Sequence, residues 1–245
     1  MTREQAEAYV CGVVPEEHDP EFVAKHLSAY EFVRPYVQGK RVLEVGFGEG
    51  YGAHRLAEVA QEVTGIDMAP GNIPRAAAKY PRANLHFAQM DATRMTFPDA
   101  SFDVVYSFQV IEHIPEPLLP NYLSEIRRVL KPDGAFIVST LNLANAMKPG
   151  KPYQKLIYHE KEFTAPELET LLKRVFSVVE LSGLHLTATH RLYRRLKRWG
   201  LDKIGPEHLN MVKRFYAHVT PRDFVVSRDV SRSALDLYAV CRLRQ

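Results

Sequence analysis

The run Val42-Leu-Glu-Val-Gly-Phe-Gly-Glu-Gly-Tyr-Gly-Ala53 gathers residue types suited to holding a small ligand. Glycines stand at 46, 48, 50 and 52, directly after a short apolar run, Arg41 to Val45, that reads as a buried parallel strand. Alternating glycines let a strand turn sharply into a helix and let main chain approach a ligand closely. Four of them exceed what a turn requires. Glu44 lies two residues before the first glycine, where its charge would repel a pyrophosphate and suit a ligand bearing positive charge. Asp67 closes the next apolar run, Val63-Thr-Gly-Ile66, at the position where an acid grips ribose hydroxyls. Asp91, in Met90-Asp-Ala92 beyond a third apolar stretch, is placed to accept a hydrogen bond from an amino group such as that of adenine; its competing role is to cap the turn with Thr93. These residues describe a pocket for a nucleoside with a cationic tail.

S-adenosylmethionine is such a nucleoside, but the glycines alone leave a second cofactor open. Gly48-x-Gly50-x-x-Ala53 also satisfies the dinucleotide fingerprint, with Asp67 on a NAD ribose. An NAD-dependent oxidoreductase would leave Glu44 unexplained, so the sulfonium nucleoside is the reading and the oxidoreductase the alternative.

The elements that must position these residues follow in order. Pro20 to Val37 has apolar residues near helical spacing and leads into the first strand. A helix is expected over Tyr51–Ala60, a strand over Gln61–Ile66, a helix over Pro70–Lys79 and a strand over Leu85–Ala88. Phe102–Phe108 reads as a fourth strand, Leu118–Leu130 as a helix, and Ala135–Thr140 as a fifth strand after the turn Lys131-Pro-Asp-Gly134. This alternation is that of a doubly wound α/β sheet. Thr164-Ala-Pro-Glu167 is a capping box that starts another helix. Alternating strands are expected at Val175–Leu181 and Leu235–Leu243.

Glu-x-Gly-x-Gly-x-Gly at 44–50, Asp67, Met90-Asp91-Ala92, Phe97-Pro98 with Phe102-Asp103, Ile111-Glu-His-Ile114 and Leu130-Lys-Pro-x-Gly134 occur in that order. As an ordered set over residues 40–140, they resemble the class I S-adenosylmethionine-dependent methyltransferases. The resemblance implies a Rossmann-like seven-stranded sheet, its last strand antiparallel, with helices on both faces. It places Gly46 and Gly48, with Gly50 in the same loop, at the methionine part of the cofactor and Asp67 at the ribose. Met68 would pack on the adenine, Asp91 and Ala92 would read its edge, and Gln109 would lie under the methionyl group. Glu112 and His113 would stand near the transferable methyl. Where similar enzymes often carry an Arg-Tyr pair in the leading helix, Ala29 precedes Tyr30, so the methionine carboxylate needs another partner, such as His26 or a backbone donor.

Four parts are expected: an arm and leading helix over 1–39, a cofactor-binding core over 40–183, a helical lid over 184–232, and the final strand over 233–245. From Leu184 onward 13 Lys/Arg stand against 5 Asp/Glu, a balance of +8 that leaves −5 for the remainder. His190 to Trp199 reads as a basic helix, His208 to His218 as a second helical run, and Gly205-Pro206 as a break between them. The basic helix has three readings: a solvated face, a site for an anionic substrate or lipid surface, or an RNA footprint, although base-stacking aromatics are thin there. The lid could also mediate oligomer contacts.

Two histidines could take a proton from a substrate hydroxyl, His113 after the fourth strand and His159 before the capped helix. The acceptor is read as the oxygen of a small metabolite, a sugar, or a saccharide- or lipid-linked molecule. Strand four runs into Gln109-Val-Ile-Glu112, not into the Asn-Pro-Pro-Tyr-like tetrapeptide of amide or base N-methylation; an RNA- or base-methylating enzyme is the alternative. No dense carboxylate cluster calls for a metal, and none is assigned.

Composition bounds all of this. A chain of 245 residues, 46% hydrophobic and 25% charged, is one globular domain or one with an appendage. It has no apolar run long enough for a membrane span and no signal-peptide core at its start. Cys11 and Cys241 are its two cysteines, neither in a Cys-x-x-Cys unit, which fits a reducing, cytoplasmic setting.

Overall fold

The computed structural model describes residues 13–147, 150 and 152–243; Cys11 and most of the expected amino-terminal arm lie outside them. Helix α1 (Pro20–Val37) is capped by Asp19, whose carboxylate accepts from the Glu21 N–H at 2.9 Å. The chain then alternates: β1 (Arg41–Val45), α2 (Tyr51–Leu56), β2 (Glu62–Asp67), α3 (Asn72–Lys79), β3 (Leu85–Gln89), β4 (Phe102–Phe108), α4 (Leu119–Val129) and β5 (Leu130–Leu141). A short α5 (Leu143–Ala146) and the capped α6 (Ala165–Leu172) lead to β6 (Val178–Leu186). The insertion holds α7 (Ala188–Arg198), α8 (Met211–Ala217) and β7 (Phe224–Ser227), and β8 (Asp236–Arg242) follows it.

The strands form one sheet in the order β3-β2-β1-β4-β5-β8-β6-β7. The first five are parallel, while β8 runs antiparallel to both β5 and β6. Among the described residues eight strands appear where seven were expected. The additional one, β7, comes from the insertion and pairs with β6 at the edge, so the segment 184–232 is not wholly helical. Several boundaries also differ, three of them by four or five residues. Helix α2 stops at Leu56, β6 runs on to Leu186, and Lys131–Gly134 belongs to β5, beside a register shift at Phe102/Val104.

Strand periodicity divides the core into two faces. Leu43, Val105 and Phe136 pack with Tyr122, Leu123 and Ile126 of α4 and Leu168 of α6. Val42, Val104, Tyr106 and Ile137 face Tyr30, Val33 and Val37 of α1 and Leu56 of α2. Each such aliphatic side chain contributes about 1.5–3 kcal/mol when fully buried. Glu44, two residues from Val42, lands by the same period on the face that α1 covers, and it is 2% exposed.

The junction of α1 with α2 depends on Gly52. A Cβ there would lie 1.9 Å from Cζ of Tyr30, so the aromatic ring fills the space a side chain would need. Gly52→Ala is therefore expected to destabilise by about 1–3 kcal/mol through overpacking, against a helix-propensity gain of at most about 1 kcal/mol. Urea unfolding in wild-type and Tyr30→Leu backgrounds checks this. The cost should shrink with the smaller residue, and an equal cost in both backgrounds would place the clash elsewhere.

Candidate functional site

Four strand ends converge on one side of the sheet. After β1 the chain turns through Gly46 and Gly48, whose φ angles of +75° and +58° are left-handed conformations that a side chain would strain. A Cβ on Gly46 would also stand 2.4 Å from Cγ2 of Val110, so this loop and the one after β4 lie directly against each other. The carboxylate of Asp67, at the end of β2, accepts from the Gly48 N–H and from the Ala69 N–H, both at 2.9 Å. Asp67 thus fixes the glycine loop in addition to any ligand role. Burial raises its pKa, against the lowering by those backbone donors and by Asn72.

Glu44 lies beneath this loop. The Tyr30 hydroxyl donates to its Oε1 at 2.9 Å, whereas Oε2 is buried without a hydrogen-bond partner. Burial pushes its pKa up to about 8, although the Tyr30 and Tyr106 hydroxyls pull the other way. A buried carboxyl with one unsatisfied oxygen is a receptor for a cationic donor. Tyr30, which follows Ala29 where similar enzymes often carry Arg, is the group that orients Glu44.

Met68 is exposed beyond β2. Asp91 plays the competing role weighed for it: its Oδ1 accepts from the Thr93 N–H at 2.7 Å and from the Thr93 hydroxyl at 2.8 Å. The Ala92 methyl is in the core, so that residue can offer a ligand only its main chain. Gly50 caps the amino end of α2 with φ +93°. His26 is held down to about 3 by burial, then by Lys25 and His18, so it is neutral and supplies no charge to a carboxylate.

Gln109 has a φ of +56°, rare for a residue with a side chain and costing about 1–3 kcal/mol. Its N–H donates to the Ser139 carbonyl at 2.9 Å, and its Nε2 to Ser139 Oγ at 3.4 Å, which hold it there. The following 3₁₀ turn, Ile111–His113, carries Glu112 and His113. Glu112 is completely buried, its carboxyl oxygens have no hydrogen-bond partner, and burial pushes its pKa up to about 8. It stands one residue before His113 in the turn, with its side chain enclosed. Its carbonyl accepts from the Glu160 and Lys161 N–H groups at 2.7 and 3.2 Å, which docks the 157–161 loop on the turn.

That loop brings the two expected histidines together. Their rings meet edge to face, centroids 4.8 Å apart. The Nδ1 of His113 lies 2.9 Å from the Tyr158 carbonyl, which can only accept, so Nδ1 carries a proton there. His159 Nδ1 lies 2.7 Å from Oε1 of buried Glu162, a partner that the sequence reading missed. Its only trace in sequence is the i, i+3 spacing. Desolvation, with His113 and Lys155, holds His159 down to about 4 and therefore neutral at neutral pH. Among the described residues no group of three or more His, Cys, Asp or Glu side chains is placed to hold a metal ion.

Residues 43–138 match the family described as methyltransferase domain. A probable S-adenosylmethionine-dependent methyltransferase of Mycolicibacterium smegmatis is 38% identical over 161 residues, 65% of this chain and 61% of that protein. A ubiquinone biosynthesis O-methyltransferase of Cereibacter sphaeroides is 38% identical over 107 residues, 43% of this chain and 42% of that protein. The chain thus spans about three fifths or less of the length of both curated relatives. In three dimensions it is similar to an S-adenosylmethionine dependent methyltransferase from Mesorhizobium loti, with a TM-score of 0.59 over 89% of this chain and 98% of that one. At 18% identity that likeness speaks to the fold.

The raised pKa of Glu44 has a consequence for the ligand-free protein. The folded state prefers the neutral carboxyl, so its contribution to stability is fully present below the ordinary glutamate value of 4.5 and is lost as pH rises through about 8. Relative to Glu44→Gln, the wild-type unfolding free energy should decline between pH 5 and pH 8.5. Urea titrations at both pH values measure it, and a constant difference would mean that the buried carboxyl ionises freely.

Proposed function

We propose that this chain, which carries a class I S-adenosylmethionine-dependent methyltransferase domain, transfers the methyl group to a hydroxyl of a small metabolite, a sugar, or a saccharide- or lipid-linked acceptor. The observation that carries the oxygen reading is the histidine pair. A neutral imidazole, oriented by a buried carboxyl and packed on a second one, is suited to removing a hydroxyl proton. The name of the ubiquinone O-methyltransferase relative supports the same acceptor atom.

The residues fit the cofactor. The free Oε2 of Glu44 would receive the methionine ammonium, the Gly46–Gly48 main chain would lie along the methionine part, and the remaining lone pairs of Asp67 would take the ribose hydroxyls. Exposed Met68 would cover the adenine, with Asp91 Oδ2 and the Ala92 main chain at its edge. Gln109 would support the methionyl group. Bound in this way, S-adenosylmethionine supplies an electrophilic methyl on a positively charged sulfur. The chain's part is then to align the acceptor oxygen in line with that bond, exclude water and receive the proton at His113 or His159. The insertion, 184–232, serves as the cover over the acceptor: β6 runs parallel to β5, so α7 leaves β6 at the sheet end where β1 and β4 also finish.

Labelled cofactor offered to a panel of hydroxyl acceptors and their amine counterparts tests the reading; transfer to amines alone would overturn it. His159→Gln should lower kcat by roughly 10²–10⁴-fold, with S-adenosylhomocysteine affinity unchanged. The acid limb of the wild-type rate should lie near pH 4, below the ordinary histidine range, because protonation disables the base. Asp67→Ala should weaken cofactor binding by roughly ten- to a hundredfold, the loss of a charge-assisted contact, as read by calorimetry.

A further inference from the structure

The insertion presents a surface that the transfer chemistry does not use. The inner side of α7 is fixed to the body: His190 is fully buried, with Nε2 3.0 Å from Glu21 Oε1, and Tyr193 stacks on Phe215 at 4.2 Å between centroids. Lys197 covers the Tyr216 ring at 3.9 Å. The opposite side carries Leu192, 53% exposed, and one heptad on Trp199, 74% exposed, with Arg191, Arg195 and Arg198 along the flank. Beyond it the buried Asn210 side chain donates to the Leu201 and Ile204 carbonyls at 2.8 and 2.7 Å, tying the next turn to the start of α8. Exposed Ile204, Leu209 (71%) and Met211 (66%) surround that tie.

Large aliphatic and aromatic side chains left in water beside arginines need an explanation. Residues 188–214 hold 8 Lys/Arg against 2 Asp/Glu, and none of these cations forms an ion pair among the described residues. We propose that this face is a peripheral docking surface for an anionic lipid bilayer, the apolar side chains entering the headgroup boundary and the arginines meeting lipid phosphates. Charge complementarity selects this occupant. A second copy would bring two strongly basic faces together. Single-stranded RNA would satisfy the cations but would leave Leu192, Ile204, Leu209 and Met211 without a role, since bases stack on aromatic planes. No described helix is long and apolar enough to cross a membrane, so the contact is one of lying on the surface. The proposal does not depend on which acceptor is methylated.

Trp199 is the chain's single tryptophan and reports on its own burial. The full chain is mixed with vesicles of phosphatidylcholine alone or with one third phosphatidylglycerol. The emission should move to shorter wavelength and be quenched by bromine-labelled acyl chains with the anionic vesicles only. Arg195→Gln with Arg198→Gln should weaken co-sedimentation about 25-fold, a factor of about five for each cation near an anionic surface. Leu209→Ser with Met211→Ser should weaken it while leaving the salt dependence in place. Unchanged thermal unfolding and S-adenosylhomocysteine binding would show that both variants fold. The proposal is overturned by an unshifted tryptophan with anionic vesicles, by binding that ignores the aliphatic substitutions, or by capture of oligo(U) RNA in preference to vesicles.

Discussion

The carboxyl of Glu44, sealed between the glycine loop and helix α1, is the constraint that the site depends on. Burying an acid with one oxygen unsatisfied costs free energy, and a cation-bearing ligand relieves that cost. The fold arranges this with few parts. Strand periodicity turns Glu44 toward α1, the Tyr30 hydroxyl satisfies one oxygen, and Gly52 makes room for the Tyr30 ring. Ligand affinity and the packing of α1 on α2 are therefore linked through one side chain. Asp67 repeats the arrangement at β2, where a residue suited to ribose also holds the loop by the Gly48 N–H.

The side proposed for the acceptor is built on a different basis. Strain at Gln109 redirects the chain out of β4, the Ile111–His113 turn presents a carbonyl, and two N–H groups of the 157–161 loop close on it. This main-chain contact sets the distance between His113 and His159. The pair is thus as well defined as a backbone hydrogen bond, even though the loop bearing His159 has exposed Leu156 and Ile157. Buried Glu162 completes the arrangement by fixing the tautomer of His159.

The parallel half of the sheet was legible because buried strands are written as apolar runs and their turns as glycines. The Phe102–Phe108 strand and the Pro20–Val37 helix fell at the expected bounds, and the capping box at Thr164 started its helix. What escaped was what depends on distant packing. Strand β7 is four residues long, within a basic insertion, and pairs only because β6 extends far enough to receive it. The left-handed Gln109 carries no glycine to mark it. The Asp91 turn could be read two ways, and only the fold shows that Thr93 takes one of its oxygens. Glu162 became meaningful once the loop folded back toward His113, and Glu112 proved to be buried although its neighbour is not.

Strand β8 occupies the middle of the β5-β8-β6 trio but is the last of the three to leave the ribosome. At about 5–20 residues per second, the roughly 50 residues between β6 and β8 take several seconds to synthesise. Throughout that interval β5 and β6 have no strand between them, and each exposes a hydrogen-bonding edge to other nascent chains. The length of the insertion is therefore also a delay time. Every residue added to it prolongs the period in which those two edges stay uncovered.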